Sequence, residues 1–261
     1  MKRRTFFPAA TAAGAALAGS MGAAAGKPAV IELQRYQLRN GPDNQSQRIN
    51  EYLGQIWLPA VRRAGAGATG CFGSVIAENT PFALAVASYP SLAALESAQE
   101  KMAGDEEYRA PAASFFRASG LAFERLETTL LRAFSGAPSI EVPSTEGRQS
   151  PRIFELRTYQ SNDPITLARK IRMFEEGEIA IFRRTGLQPV FFGATIAGGH
   201  MPNLTYMLAF DDLASRDRNW RTFGGDPEWE KLRKQPGYSD AEIVSNISNS
   251  ILRPLPFSQI R

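Results

Sequence analysis

Ile153-Phe154-Glu155-Leu156-Arg157-Thr158-Tyr159-Gln160 alternates in character along its length. In an extended strand successive side chains point to opposite faces, so Phe154 and Leu156 share one side while Glu155, Arg157 and Tyr159 share the other. Nearer the start, Val30-Ile31-Glu32-Leu33-Gln34-Arg35-Tyr36-Gln37 repeats the pattern, with Glu, Leu, Tyr and Gln identical. Four further matches follow in the same order. Arg62-Arg63-Ala64-Gly65 aligns with Arg183-Arg184-Thr185-Gly186, and Cys71-Phe72-Gly73 with Phe191-Phe192-Gly193. Gly104-Asp105-Glu106-Glu107-Tyr108 aligns with Gly225-Asp226-Pro227-Glu228-Trp229, and Leu130-Leu131-Arg132 with Ile251-Leu252-Arg253. The pattern reads as one module present twice, over 30–133 and 152–256. The Pro-, Ser-, Gly- and Glu-rich stretch 134–151 reads as the linker.

Within the second copy, a strand over 152–160 precedes Asp163-Pro164, an N-cap oxygen followed by a proline suited to the first helical turn. Leu167, Ile171, Phe174 and Ile181 keep helical spacing up to Gly186, a C-terminal stop. Strands over 188–196 and 204–210 form a hairpin. A helical region over 213–235 is broken at Gly224-Gly225 and restarted by Asp226-Pro227, and a last strand spans 241–252. The first copy matches: strand 30–38, helix 44–64, hairpin 69–89, helical stretch 91–116, strand 121–132. The order is β-α-β-β-α-β, and the predicted fold class is α+β, two tandem ferredoxin-like modules of dimeric α/β-barrel type. Helices cover one face of each four-stranded sheet. The other face must be buried against the second module or against another chain.

The formal charge is +4, but Lys2, Arg3 and Arg4 contribute three of it; the remainder holds 27 basic against 26 acidic residues, or +1. Such a balance carries no electrostatic footprint for nucleic acid. Residues 1–26 join the pair Arg3-Arg4 to Thr5-Phe6-Phe7, an Ala/Gly-rich run and Ala23-Ala24-Ala25. This layout resembles a twin-arginine export leader, with cleavage near Gly26 or Lys27 and a periplasmic or secreted mature protein. The run is too weakly apolar for a lasting membrane span. Cys71 and His200 are each the sole residue of their type, which excludes an intrachain disulfide and any Cys/His zinc cluster. Neither a nucleophile elbow nor a phosphate-cradling or dinucleotide glycine loop is present, so the sequence implies no cofactor.

If the apolar pair on the first strand packs on the helices, the polar row must point into the space between the two sheets. Glu155, Arg157 and Tyr159, with Glu32, Gln34 and Tyr36 from the first copy, are the candidate ligand-binding residues; Glu155 and Tyr159 are the candidates for proton transfer. A carboxylate, a guanidinium and a phenol in a partly enclosed cleft can orient an anionic or carbonyl-bearing ligand. Asn246, Ser248 and Ser250 on the last strand, opposite Ile247 and Ile251, are candidates to line the same cleft or a solvated face. Against these stands a plainer reading in which Glu155 and Arg157 form a satisfied ion pair that fixes sheet packing. Trp220, Trp229 and Tyr108 read as packing anchors, and Cys71 as a small core residue in the place of Phe191.

Several of these stretches resemble NIPSNAP domains. They are Glu155-Leu156-Arg157-Thr158-Tyr159, Tyr206–Leu213 running into Asp-Asp-Leu, Gly225-Asp226-Pro227-Glu228-Trp229, and Ile251-Leu252-Arg253-Pro254. The likeness covers 152–256 well and 30–133 loosely: Gln34 stands where the family arginine would be, and Ala133 where Pro254 is. The resemblance implies the dimeric α/β-barrel superfamily, whose members include cofactor-free monooxygenases, haem-dependent peroxidases and small isomerases. It supplies no reaction. The residues therefore leave two main readings, a protein binding a small molecule between its sheets or a cofactor-independent oxygenase or isomerase using the same cleft. A haem enzyme is disfavoured, because the one histidine falls in a loop. Either reading allows a homo-oligomer.

Overall fold

A computed structural model describes residues 26–261 apart from 119 and 149. The predicted leader, Gly26 aside, lies outside the described residues. The first half runs β1 (Val30–Gln37), α1 (Gln45–Tyr52), a π-helical turn (Leu53–Trp57), α2 (Leu58–Arg63), β2 (Thr69–Ile76), β3 (Phe82–Tyr89), α3 (Leu92–Gly104), α4 (Glu106–Arg117) and β4 (Arg125–Ala133). The second runs β5 (Ile153–Gln160), α5 (Pro164–Met173), a π-helical turn (Phe174–Glu178), α6 (Ile179–Arg184), β6 (Gln188–Ala197), β7 (Asn203–Phe210), α7 (Leu213–Gly224), α8 (Pro227–Arg233), α9 (Asp240–Ile243) and β8 (Asn246–Pro254).

The helix starts follow from side-chain oxygens that accept orphan backbone N–H groups. Ser91 caps α3 and Asp105 caps α4, while Asp163, Asp212 and Asp226 do the same for α5, α7 and α8. One start escapes the sequence reading. Ser239 and Glu242 form a capping box that winds 240–243 into a short helix, so the last strand begins at Asn246 rather than Ala241.

All strand pairs are antiparallel, in the closed order β1-β3-β2-β8-β5-β7-β6-β4. Within each half the order is therefore β4-β1-β3-β2 or β8-β5-β7-β6, and the pairs β2·β8 and β4·β6 close the ring. Registers correspond: Glu32 sits between Ala87 and Leu130, as Glu155 sits between Leu208 and Ile251. Closure removes the edges that an open four-stranded sheet would expose.

Ile31, Leu33, Phe72, Phe154, Met207 and Leu252, from strands of both halves, belong to one buried cluster that fills the barrel. Two further clusters lie between the barrel wall and the helices of each half. The expected orientation is thus reversed. The apolar pairs Ile31/Leu33 and Phe154/Leu156 face the interior between the sheets, and the polar row faces outward under the helices. A closed barrel of this size is filled by side chains, and apolar ones fill it without leaving polar groups unpaired.

A second correction concerns register. Cys71 lies opposite Ala85, whereas Phe192, not Phe191, lies opposite the equivalent Tyr206. The register of β6 shifts between Pro189 and Phe191, and a one-residue shift exchanges the faces. Phe191 consequently packs inside the barrel and Phe192 under the helices.

Candidate functional site

In the second half the polar row is closed on itself. Arg157 donates to Glu155 at 2.9 Å and to the Tyr159 hydroxyl at 3.2 Å. Arg216 and Trp220 on α7 reach down to the same carboxylate, at 2.6 and 2.8 Å, and Asn249 on β8 donates at 2.6 Å. Tyr206 completes the set by donating to Tyr159 at 2.8 Å. Glu155 has no exposed surface. Burial alone pushes its carboxyl up, but Arg216, Arg157 and Trp220 together outweigh burial and hold it below the usual range of carboxylates. The ion pair of the plainer sequence reading is thus present, while the Arg157 Nε is buried without a partner.

Asn246 and Ser248 do not join that network. They share a face with Leu252, which points into the barrel, and both are exposed near its end. Asn249 joins instead because it alternates with Ile251, on the helix side with Glu155. Strand periodicity could have found it, since residues 247, 249 and 251 must share a face.

The first half has the same frame with smaller parts. Tyr36 donates to the Gln34 amide oxygen at 2.9 Å, and Gln34 donates to Glu32 at 3.1 Å. Gln34 thus takes the position of Arg157 and keeps its hydrogen bonding without its charge. On β3, Ala83, Ala85 and Ala87 face the helices where β7 presents Leu204, Tyr206 and Leu208. Cys71 replaces Phe192, and Gln99, eight residues beyond the Ser91 cap, replaces Trp220, eight beyond Asp212.

Of these exchanged positions, Gln34 and Gln99 line a pocket of about 400 Å³ in the first half. Glu32, Gln34 and Tyr36 form its floor, Tyr52, Trp57 and Tyr108 stand on the helical side, and exposed Gln99 lines it as well. Among the described residues no arginine, lysine or histidine lines it. Glu32 is 4% exposed. Burial pushes its carboxyl above the ordinary value, and the hydrogen bonds to Gln34 and Tyr89 offset this only in part. Burial likewise raises the phenols of Tyr36, Tyr52 and Tyr89, so they stay protonated donors. Tyr52 and Tyr108 share one hydrogen bond of 3.1 Å, and when Tyr52 is its donor the Tyr108 proton is left for a guest.

Other groups are accounted for by packing. The Cys71 thiol is buried, and burial pushes it up to about 12, which makes it inert as a nucleophile. Lys170 and Glu178 form a buried pair at 2.9 Å in the second half. Trp229 packs on Phe223, and His200 lies exposed in the β6–β7 turn. Among the described residues, no three His, Cys, Asp or Glu side chains are grouped to hold a metal ion, and no helix is long and apolar enough to cross a membrane.

Strand order and layers define the chain as an α+β protein with a closed eight-stranded antiparallel barrel. In its C-terminal half, residues 154–259 match the NIPSNAP family model. Over the whole chain, a Fusobacterium nucleatum protein described as "Putative monooxygenase" is similar in structure, with a TM-score of 0.56 and 7% identity, over 88% of this chain and 93% of that one. A protein of the same description from Lactobacillus acidophilus gives 0.55 and 8%, over 87% and 94%. A NIPSNAP family protein of unknown function from Agrobacterium tumefaciens is 19% identical, with a TM-score of 0.39, over 44% of this chain and 97% of that one. At such identities the two longer likenesses show a shared fold. No curated protein matches this chain in sequence.

Proposed function

We propose that this protein binds a small, uncharged, flat molecule carrying a hydroxyl or carbonyl group, and holds it under the helices of its first half. One observation carries this reading: Glu32 lines an aromatic pocket of about 400 Å³ with no cation among the lining residues, whereas its counterpart Glu155 is locked by two arginines. Pockets of this size, mostly apolar with a few convergent polar groups, suit small organic ligands. A free anion would meet a carboxylate and no positive charge, which disfavours acidic ligands. One structural neighbour is described as an "anthrone oxidase-like protein", a name that agrees with an aromatic guest.

On this reading the chain is a tandem duplication whose halves have diverged. The second keeps the NIPSNAP sequence and completes the barrel, and the first gives up the arginine and the large side chains to make room. The leader-like residues 1–26 support export by the twin-arginine route, and N-terminal sequencing of the mature protein is expected to begin near Gly26 or Lys27. The binding reading is tested by thermal shift with neutral aromatic ketones such as 2-tetralone. The parent chain is expected to gain several degrees at saturation, and Gln99→Trp, which copies the Trp220 plug at an exposed position, to gain none. Equal shifts in both would place the ligand elsewhere.

A further inference from the structure

We propose that Glu32 is a catalytic base that removes a proton from carbon beside the carbonyl of an uncharged aromatic ketone, making the first half the seat of an isomerase-type proton transfer. The proposal rests on the pocket reading above and adds a reaction to it.

The geometry separates a base from a structural carboxylate. Glu155 spends its oxygens on Arg157, Arg216, Trp220 and Asn249. Glu32 accepts hydrogen bonds from Gln34 and Tyr89, neither of them a cation, and is one of the residues that line the pocket. Gln34 is itself oriented by the Tyr36 hydroxyl, so the floor is a relay that fixes the direction of the carboxylate without neutralising it. Gln34 and Tyr36 are positioning residues here. The groups facing Glu32 are Gln34 and Tyr36 on its own strand, Tyr89 on β3, and Tyr52 and Tyr108 from the helical layer. Arg132 on β4 lies diagonal to it, outside the lining of the pocket. A buried carboxylate without a cation is a stronger base than one in water, which suits it to a weakly acidic C–H bond.

The step balances within the pocket. A lone pair of the Glu32 carboxylate forms an O–H bond as the C–H bond breaks, and the released electron pair becomes a C=C bond while the carbonyl oxygen takes the negative charge. With Tyr52 donating to Tyr108, the Tyr108 O–H can donate to that oxygen, the role of an oxyanion-stabilising donor. Glu32 then returns the proton to the same carbon or to one conjugated with it. No oxidant or reductant is consumed.

The full chain is tested with 2-tetralone in D2O. Proton NMR follows exchange of its C1 hydrogens above the buffer rate, saturation-transfer NMR follows binding, and circular dichroism checks the fold. The parent is expected to accelerate exchange, and Glu32→Gln to bind but to exchange about 10²–10⁴-fold more slowly. Gln99→Trp is expected to lose both binding and exchange. Binding by the parent without faster exchange, or parental exchange in Glu32→Gln, overturns the catalytic proposal and leaves the pocket reading standing. Absence of binding by the folded parent overturns both.

Discussion

At the residue scale the two halves differ most at one position, Gln34 against Arg157. Both side chains bridge the strand's carboxylate and its tyrosine, so the hydrogen-bond pattern survives the exchange and the charge does not. The consequence for stability is opposite in sign. Glu155 is held below its ordinary value of 4.5, so its network stabilises the fold fully above about that pH and loses the contribution as pH falls through the depressed value. Glu32 is raised above 4.5, so its burial favours the folded state only below that value, and the benefit is lost as pH rises through the raised one. At pH 7 Glu155→Gln is expected to cost about 3–5 kcal/mol, because Arg157 is left buried without its partner. Glu32→Gln is expected to raise Tm at pH 7, as removal of a charge kept for function does. Thermal unfolding of both variants from pH 8 down through the acid range well below pH 4.5 checks this. Both differences should shrink towards the acid end, and a Glu32→Gln protein less stable than its parent at pH 7 would contradict the assignment.

At the element scale, much was legible and the reasons are local. Asp163-Pro164 and Asp226-Pro227 announced helix starts because capping needs only neighbouring residues. What the sequence left open was which side of each strand meets the helices. The burial of β3 and β7 is continuous from Phe82 to Tyr89 and from Asn203 to Phe210, so alternation there marks two faces without naming them. The polar row was therefore found but aimed into the barrel, and the polar set on β8 was assigned to its face. The pocket itself was illegible for a related reason. Its lining is drawn from β1, β3, β4 and the helical layer, and no single stretch announces it. The departure of Gln34 from the family arginine was visible. Its meaning as an opened site depended on these neighbours.

At the scale of the whole molecule, the closed ring ties the halves together. The interior cluster draws on strands from both, so neither half keeps its inner face covered alone. The proposed division of labour relies on that dependence, with the second half stabilising the barrel and the first holding the guest. The three tryptophans report on it directly: Trp57 stands in the first-half pocket, while Trp220 and Trp229 belong to the second half. The decisive measurement is a two-dimensional NMR titration of the three indole N–H signals with 2-tetralone. The account predicts that the Trp57 signal shifts and saturates while those of Trp220 and Trp229 hold still; movement of Trp220 or Trp229 with Trp57 unchanged would contradict it.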